Sequence, residues 1–247
     1  MKKIADIRLF ASDTPTVDGR NHWPNALQNK ASAIFARRVV MKLREQGFSL
    51  GGFDHLYINF TSCAVEGNIA PAKLSFQTWY RFYDVHVDKE MQKNVSSEED
   101  AVIAAQLIQS VLLKYFAATE KDEAIIVKSI NAAKEGDKMT VLYMEKKYSK
   151  CTISVYISLN NKGEFCPILQ IMKKDGTLVQ RKRMKPCIEM GAYGDIRFDG
   201  ERVLIKPRKN AYYAKRIAFV RPSLRRNDSA CSLMLAAQAN WCITSVL

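Results

Sequence analysis

The chain of 247 residues has little of what marks irregular or fibrous proteins, with 11 Gly and 7 Pro against 47% apolar residues. That balance excludes collagen-like and disordered classes and suits one large core or two small ones. Histidine is scarcer, three residues in all, and the six cysteines at 63, 151, 166, 187, 231 and 242 include no C-x-x-C pair. A zinc site at known spacing is thereby excluded, and scattered thiols read as free and buried in a reducing cytosol. Neither G-x-G-x-x-G nor G-x-x-x-x-G-K-[ST] occurs, which removes the commonest phosphate cradles, and there is no G-x-S-x-G turn for a serine nucleophile. Cys63 follows an apolar run but opens no glycine-rich turn into a helix. No cofactor is expected.

Long uninterrupted apolar runs are also missing. The opening MKKIADIRLF is broken by Asp6 and Arg8, so it reads as a strand rather than a secretory signal. The stretch from Ala101 to Leu113 is shorter than the ~18 residues a membrane span needs. The uncharged tail SACSLMLAAQANWCITSVL is interrupted by Ser, Gln, Asn and Thr, and reads as a buried terminal element. The expectation is a cytoplasmic chain without a membrane partner.

Acidic charge is short on one side of the chain only. Residues 1–138 hold 18 Lys+Arg and 17 Asp+Glu, a net of +1, whereas residues 139–247 hold 20 and 8, a net of +12. With the turn signal KEGDK at 134–138, this asymmetry places a boundary between a neutral half, 1–138, and a basic half, 139–247, although one composite domain fits as well.

What is present gives an α+β expectation: a mixed α/β N-terminal half followed by a mainly antiparallel β half. KIADIRLF reads as a strand. Asn25, with Gln28 three residues on, reads as the cap of a helix whose Ala31, Phe35, Val39 and Leu43 form a stripe and whose stop is Gly47. FDHLYINF and SFQTWYRFYDVHVD read as strands. Ser96 with Glu99 reads as a capping box for a helix over 97–118, and a second helix is expected over 122–135. In the basic half CTISVYISL alternates strictly, as a half-buried strand does, and NNKG, KKDG and FDGE are spaced as hairpin turns, so an antiparallel sheet of five or six strands is expected.

Candidate functional residues fall into three groups. Period-2 alternation in YDVHVD puts Asp84, His86 and Asp88 on one strand face, where carboxylates flanking an imidazole suit a divalent metal or acid–base chemistry, or else a plain solvent face. His55 shares a strand face with Asn59 and could converge with His22. A hydrolase or metal-dependent enzyme built on these histidines is one reading of the chain. The basic half supplies the third group: Arg181 and Arg183 in QRKRMKP, then Lys206, Arg208, Lys209 and Arg216 interleaved with Tyr212 and Tyr213 in KPRKNAYYAKR. Cations mixed with aromatics suit a single-stranded nucleic acid, an acidic protein surface, or a solvated edge strand where cations prevent aggregation. No RNA-binding or zinc-finger signature accompanies them.

The phrases VDGRNHWPN (17–25), FDHLYINF (53–60) and WYRFYD (79–84) resemble those of small α+β immunity proteins that accompany bacterial polymorphic toxins. The resemblance covers the first ninety residues at most and singles out no one family. It implies a non-enzymatic protein that binds and neutralises a cognate toxin, with His22, Trp23, His55, Asp84 and His86 as partner-binding candidates. Immunity proteins against nucleases are often acidic, so the basic second half departs from that pattern. It implies instead a toxin with an acidic surface, or binding through the neutral half.

Overall fold

The computed structural model describes residues 2–13, 24–72, 77–96, 101–198 and 203–209, with the backbone of 241–243. The fold is α+β, and the chain divides into two compact units, Met1–Val141 and Leu142–Leu247.

The first unit is built on β1 (Asp6–Ala11), β2 (Asn25–Ala26), β3 (His55–Thr61), β4 (Ile69–Pro71) and β5 (Tyr80–His86), in the order β2-β1-β3-β5-β4. β1, β3 and β5 are parallel, and the short outer strands run antiparallel to them. Parallel strands covered on both faces need apolar residues at nearly every position. In β3 every residue after His55 is buried. On one face Tyr83 meets Tyr115 and Phe116 of α3 (Val102–Phe116), at ring distances of 4.8 and 5.5 Å. On the other face Phe10, Tyr57, Tyr80 and Phe82 form one aromatic cluster, Tyr57 stacked on Tyr80 at 4.9 Å.

α1 (Lys30–Glu45) buries Phe35, Val39 and Leu43 of the expected stripe, and Gly47, at φ +75°, ends it as expected. Its cap is Asn29, however, not Asn25. Asn29 Oδ1 accepts from the Ser32 amide at 3.0 Å while its Nδ2 donates to Val95 O at 2.8 Å. Asn25 is instead drawn into β2 by pairing with Ala11. The expected helix over 97–118 is likewise corrected. Asp88 caps a separate α2 (Lys89–Val95) by accepting from the Met91 amide at 2.6 Å, Ser96 ends that helix, and α3 starts at Val102 without a side-chain cap. α4 (Glu120–Lys134) opens on a reciprocal cap between Thr119 and Asp122.

The second unit holds two sheets where one of five or six strands was expected. One contains β6 (Val141–Lys147), β7 (Cys151–Leu159), β8 (Phe165–Lys173) and β9 (Leu178–Arg183), in chain order. The other contains β10 (Asp195–Phe198), β11 (Val203–Lys206) and β12 (Trp241–Ile243). The apolar face of β7 packs as read, Cys151, Ile153 and Val155 joining Leu169, Ile171, Ile196, Val203 and Ile205 in one core between the sheets. The strand is not half-buried as expected, however: Ser154 and Ser158 on its other face are buried too. Gly163 (φ +81°) and Gly176 (φ +85°) make the tight turns β7–β8 and β8–β9. Side-chain oxygens support both turns: Asn160 accepts from the Lys162 and Glu164 amides, and Asp175 from the Thr177 amide, each at 2.9 Å. The Asp199–Gly200 turn lies outside the described residues.

Candidate functional site

Among the described residues of the second unit, β9 and the residues just after it form an exposed, chemically mixed stretch. In LVQRKR only Gln180 is partly covered, and between Leu178 and Ile188 there is no Asp or Glu. Arg181, Lys182, Arg183 and Lys185 are exposed, and among the described residues none of them is ion-paired. Beside them stand aliphatic groups that a solvated edge has no reason to display: Leu178 is 53% exposed, Val179 39% and Ile188 74%. What holds the strand is Met184, buried in the inter-sheet core, and a backbone pairing of Phe165 with Cys187 beyond the strand end.

The register fixes where each group points. Ile168 lies opposite Arg183, Leu169 opposite Lys182, Gln170 opposite Arg181 and Ile171 opposite Gln180. Arg181 and Arg183 therefore extend from one face, shared with Gln170 and Ile168, and Lys182 from the other. A bulge between Ile171 and Met172 leaves Val179 as the unpaired extra residue.

The other basic candidates are on the second sheet and are differently employed. Arg208 donates to Tyr143 Oη at 2.8 Å and stacks its guanidinium over the same ring at 5.7 Å, so it stabilises the unit's own packing. Burial pushes the Tyr143 hydroxyl up, with Arg208 opposing. Lys206 closes β11, its carbonyl accepting from the Gly194 amide at 2.7 Å, and Lys209 is exposed. Tyr212, Tyr213 and Arg216 lie outside the described residues.

In the first unit the structure corrects the Asp84, His86 and Asp88 reading. Asp84 is fully buried and accepts from Asn59 Nδ2 at 2.8 Å, on the β5 face that also buries Tyr80 and Phe82, so it is not on a solvent face. Asp88 is past the strand and occupied as the α2 cap. His86 donates from Nδ1 to the carbonyl of Cys63 at 2.9 Å. The three do not converge, and among the described residues no group of three His, Cys, Asp or Glu could hold a metal ion. His55 is partly exposed, bonded through Nδ1 to Asp54 at 2.7 Å and edge-on to Trp79 at 4.7 Å. That histidine–tryptophan pair, with Arg8 over the Tyr57 ring at 5.5 Å, is a small mixed surface; the convergence of His55 with His22 falls outside the described residues, as do His22 and Trp23 themselves.

Sequence reasoning found the cations of β9 and missed the exposed Leu178, Val179 and Ile188, whose signal was available as aliphatics flanking a cationic run. No helix among the described residues is long and apolar enough to cross a membrane. Comparison with protein-family models, curated proteins and solved structures finds no match to this chain.

Proposed function

We propose that this chain is a non-enzymatic binding protein whose partner is a protein with an acidic surface, and that its sharpest form is an immunity-type protein that neutralises a cognate toxin. The observation that carries the reading is the exposed cationic strand β9, unpaired among the described residues and flanked by exposed Leu178, Val179 and Ile188. Solubility alone accounts for the cations but not for the aliphatics beside them. A protein interface uses both, charge to steer the encounter and apolar area to hold the complex.

Nucleic acid is the second reading, and the residues of β9 favour it less. Single-strand binding wants a stacking platform along the cationic groove, and from Leu178 to Ala192 there is no aromatic residue. The test is a photo-crosslinking residue at Val179 in the full chain, expressed in its source cells. An acidic protein is expected in the adduct, and R181E with R183E should remove it. An adduct with nucleic acid, or with no macromolecule, overturns the reading. The toxin form is tested separately: the partner's gene, expressed alone, should arrest growth, and co-expression of this chain should restore it.

A further inference from the structure

The mode of that binding follows from the backbone of β9, on the premise that the partner is an acidic protein. In an antiparallel pair, alternate residues direct both N–H and C=O at the same neighbour. The Met184 amide donates to Pro167 O at 2.8 Å, which fixes the Met184–Pro167 position as one where these groups face β8. Counting back along the register, Lys182 opposite Leu169 and Gln180 opposite Ile171 also face β8. The intervening residues, Arg183 and Arg181, turn their amides and carbonyls the other way. Among the described residues β9 is the last strand of its sheet, so those groups point to its outer edge. Among the described residues, the two whose backbone groups have no strand partner are therefore the two that carry guanidinium groups on one shared face.

We propose that the partner docks by strand addition: an extended acidic segment pairs antiparallel with Gln180–Arg183, forming hydrogen-bonded pairs with Arg181 and Arg183. Residues directly opposite in such a pair sit with Cβ atoms ~5 Å apart, so the segment carries Asp or Glu at the two alternate positions facing Arg181 and Arg183. Its intervening residue lies beside Lys182 on the opposite face. A second copy of β9 is a poor occupant, because antiparallel self-pairing sets arginine against arginine. The bulge at Val179 limits the pairing at one end, and the Phe165–Cys187 bridge draws the chain back to β8 at the other.

The probe is a capped pentapeptide, Glu-Thr-Glu-Thr-Glu, and the control is the same peptide N-methylated at its glutamate amides, which keeps every charge and removes the strand's donors. With the full chain, the first peptide should slow hydrogen exchange at the Arg181 and Arg183 amides by about tenfold or more, leaving Lys182, already bonded to β8, unchanged. N-methylation, or R181E with R183E, should abolish the effect. If both peptides bind equally, strand addition is overturned while the acidic-partner reading survives. If neither binds and a single-stranded oligonucleotide does, or if nothing binds, both fall.

Discussion

Gly194 and Arg208 pass backbone against backbone: a Cβ built on Gly194 would run into the Arg208 nitrogen and lie 2.7 Å from both Arg208 Cα and Pro207 C. No flexible side chain is available to yield, so the backbone leaving β11 must move. Gly194→Ala should destabilise the protein by about 1–3 kcal/mol, read by urea unfolding. It should also displace the Arg208 guanidinium from Tyr143. Tyr143→Phe then costs less in the Gly194→Ala background than in the parent, and additive losses would disprove the coupling.

The buried pair Asn59 and Asp84 predicts a stability effect rather than a catalytic one. Asn59 Nδ2 donates to Asp84 Oδ1, and Ser12 Oγ donates to Asn59 Oδ1 at 3.3 Å. Asn59→Ala withdraws a donor from a fully buried acid and should cost about 2 kcal/mol. A variant as stable as the parent in urea would show that the Ser12–Asn59–Asp84 hydrogen bonds are not structural.

Burial pushes the Cys187 thiol up to about 11, with the neighbouring Cys166 adding to the rise. Since the thiolate is the reactive form, alkylation of Cys187 should be slow at pH 8 and climb tenfold per pH unit towards about 11, an order-of-magnitude expectation from thiolate fraction. Mass spectrometry of peptide-resolved iodoacetamide labelling reads it; a plateau already at pH 8 would contradict the burial.

Much of the fold was legible because local pattern and burial agree. CTISVYISL alternates because one of its faces packs in the core between two sheets, and the Phe35–Val39–Leu43 stripe marks the buried side of α1. The cap of α1 was not legible, since Asn25 and Asn29 are chemically equal and only the pairing of Asn25 with β1 decides between them. Asp84 was placed on the correct face of β5 and given the wrong environment, because whether a strand's face is covered depends on what packs over it and not on the strand's own alternation. The candidate site divides the same way. Its cations stand in the sequence, whereas the direction of the Arg181 and Arg183 backbone groups depends on one hydrogen bond, Met184 to Pro167, between residues 17 positions apart in the chain.

The arginines of β9 also predict what the edge does without a partner. Unused amides and carbonyls on an exposed strand are a template for self-association, and like charge at the paired positions opposes it. Arg181→Val with Arg183→Val removes the repulsion, keeps the backbone groups and extends the aliphatic surface begun by Leu178 and Val179. The double variant should associate in a concentration-dependent way, seen as a rise in average mass by sedimentation. Arg181→Lys with Arg183→Lys, which keeps the charge, should behave as the parent does. Both positions are exposed, so neither variant disturbs the core, and the thermal midpoint before association should stay within a few degrees of the parent. Unchanged mass for the valine variant would mean that the edge is closed by something other than charge, and would remove the ground on which an added strand could dock there.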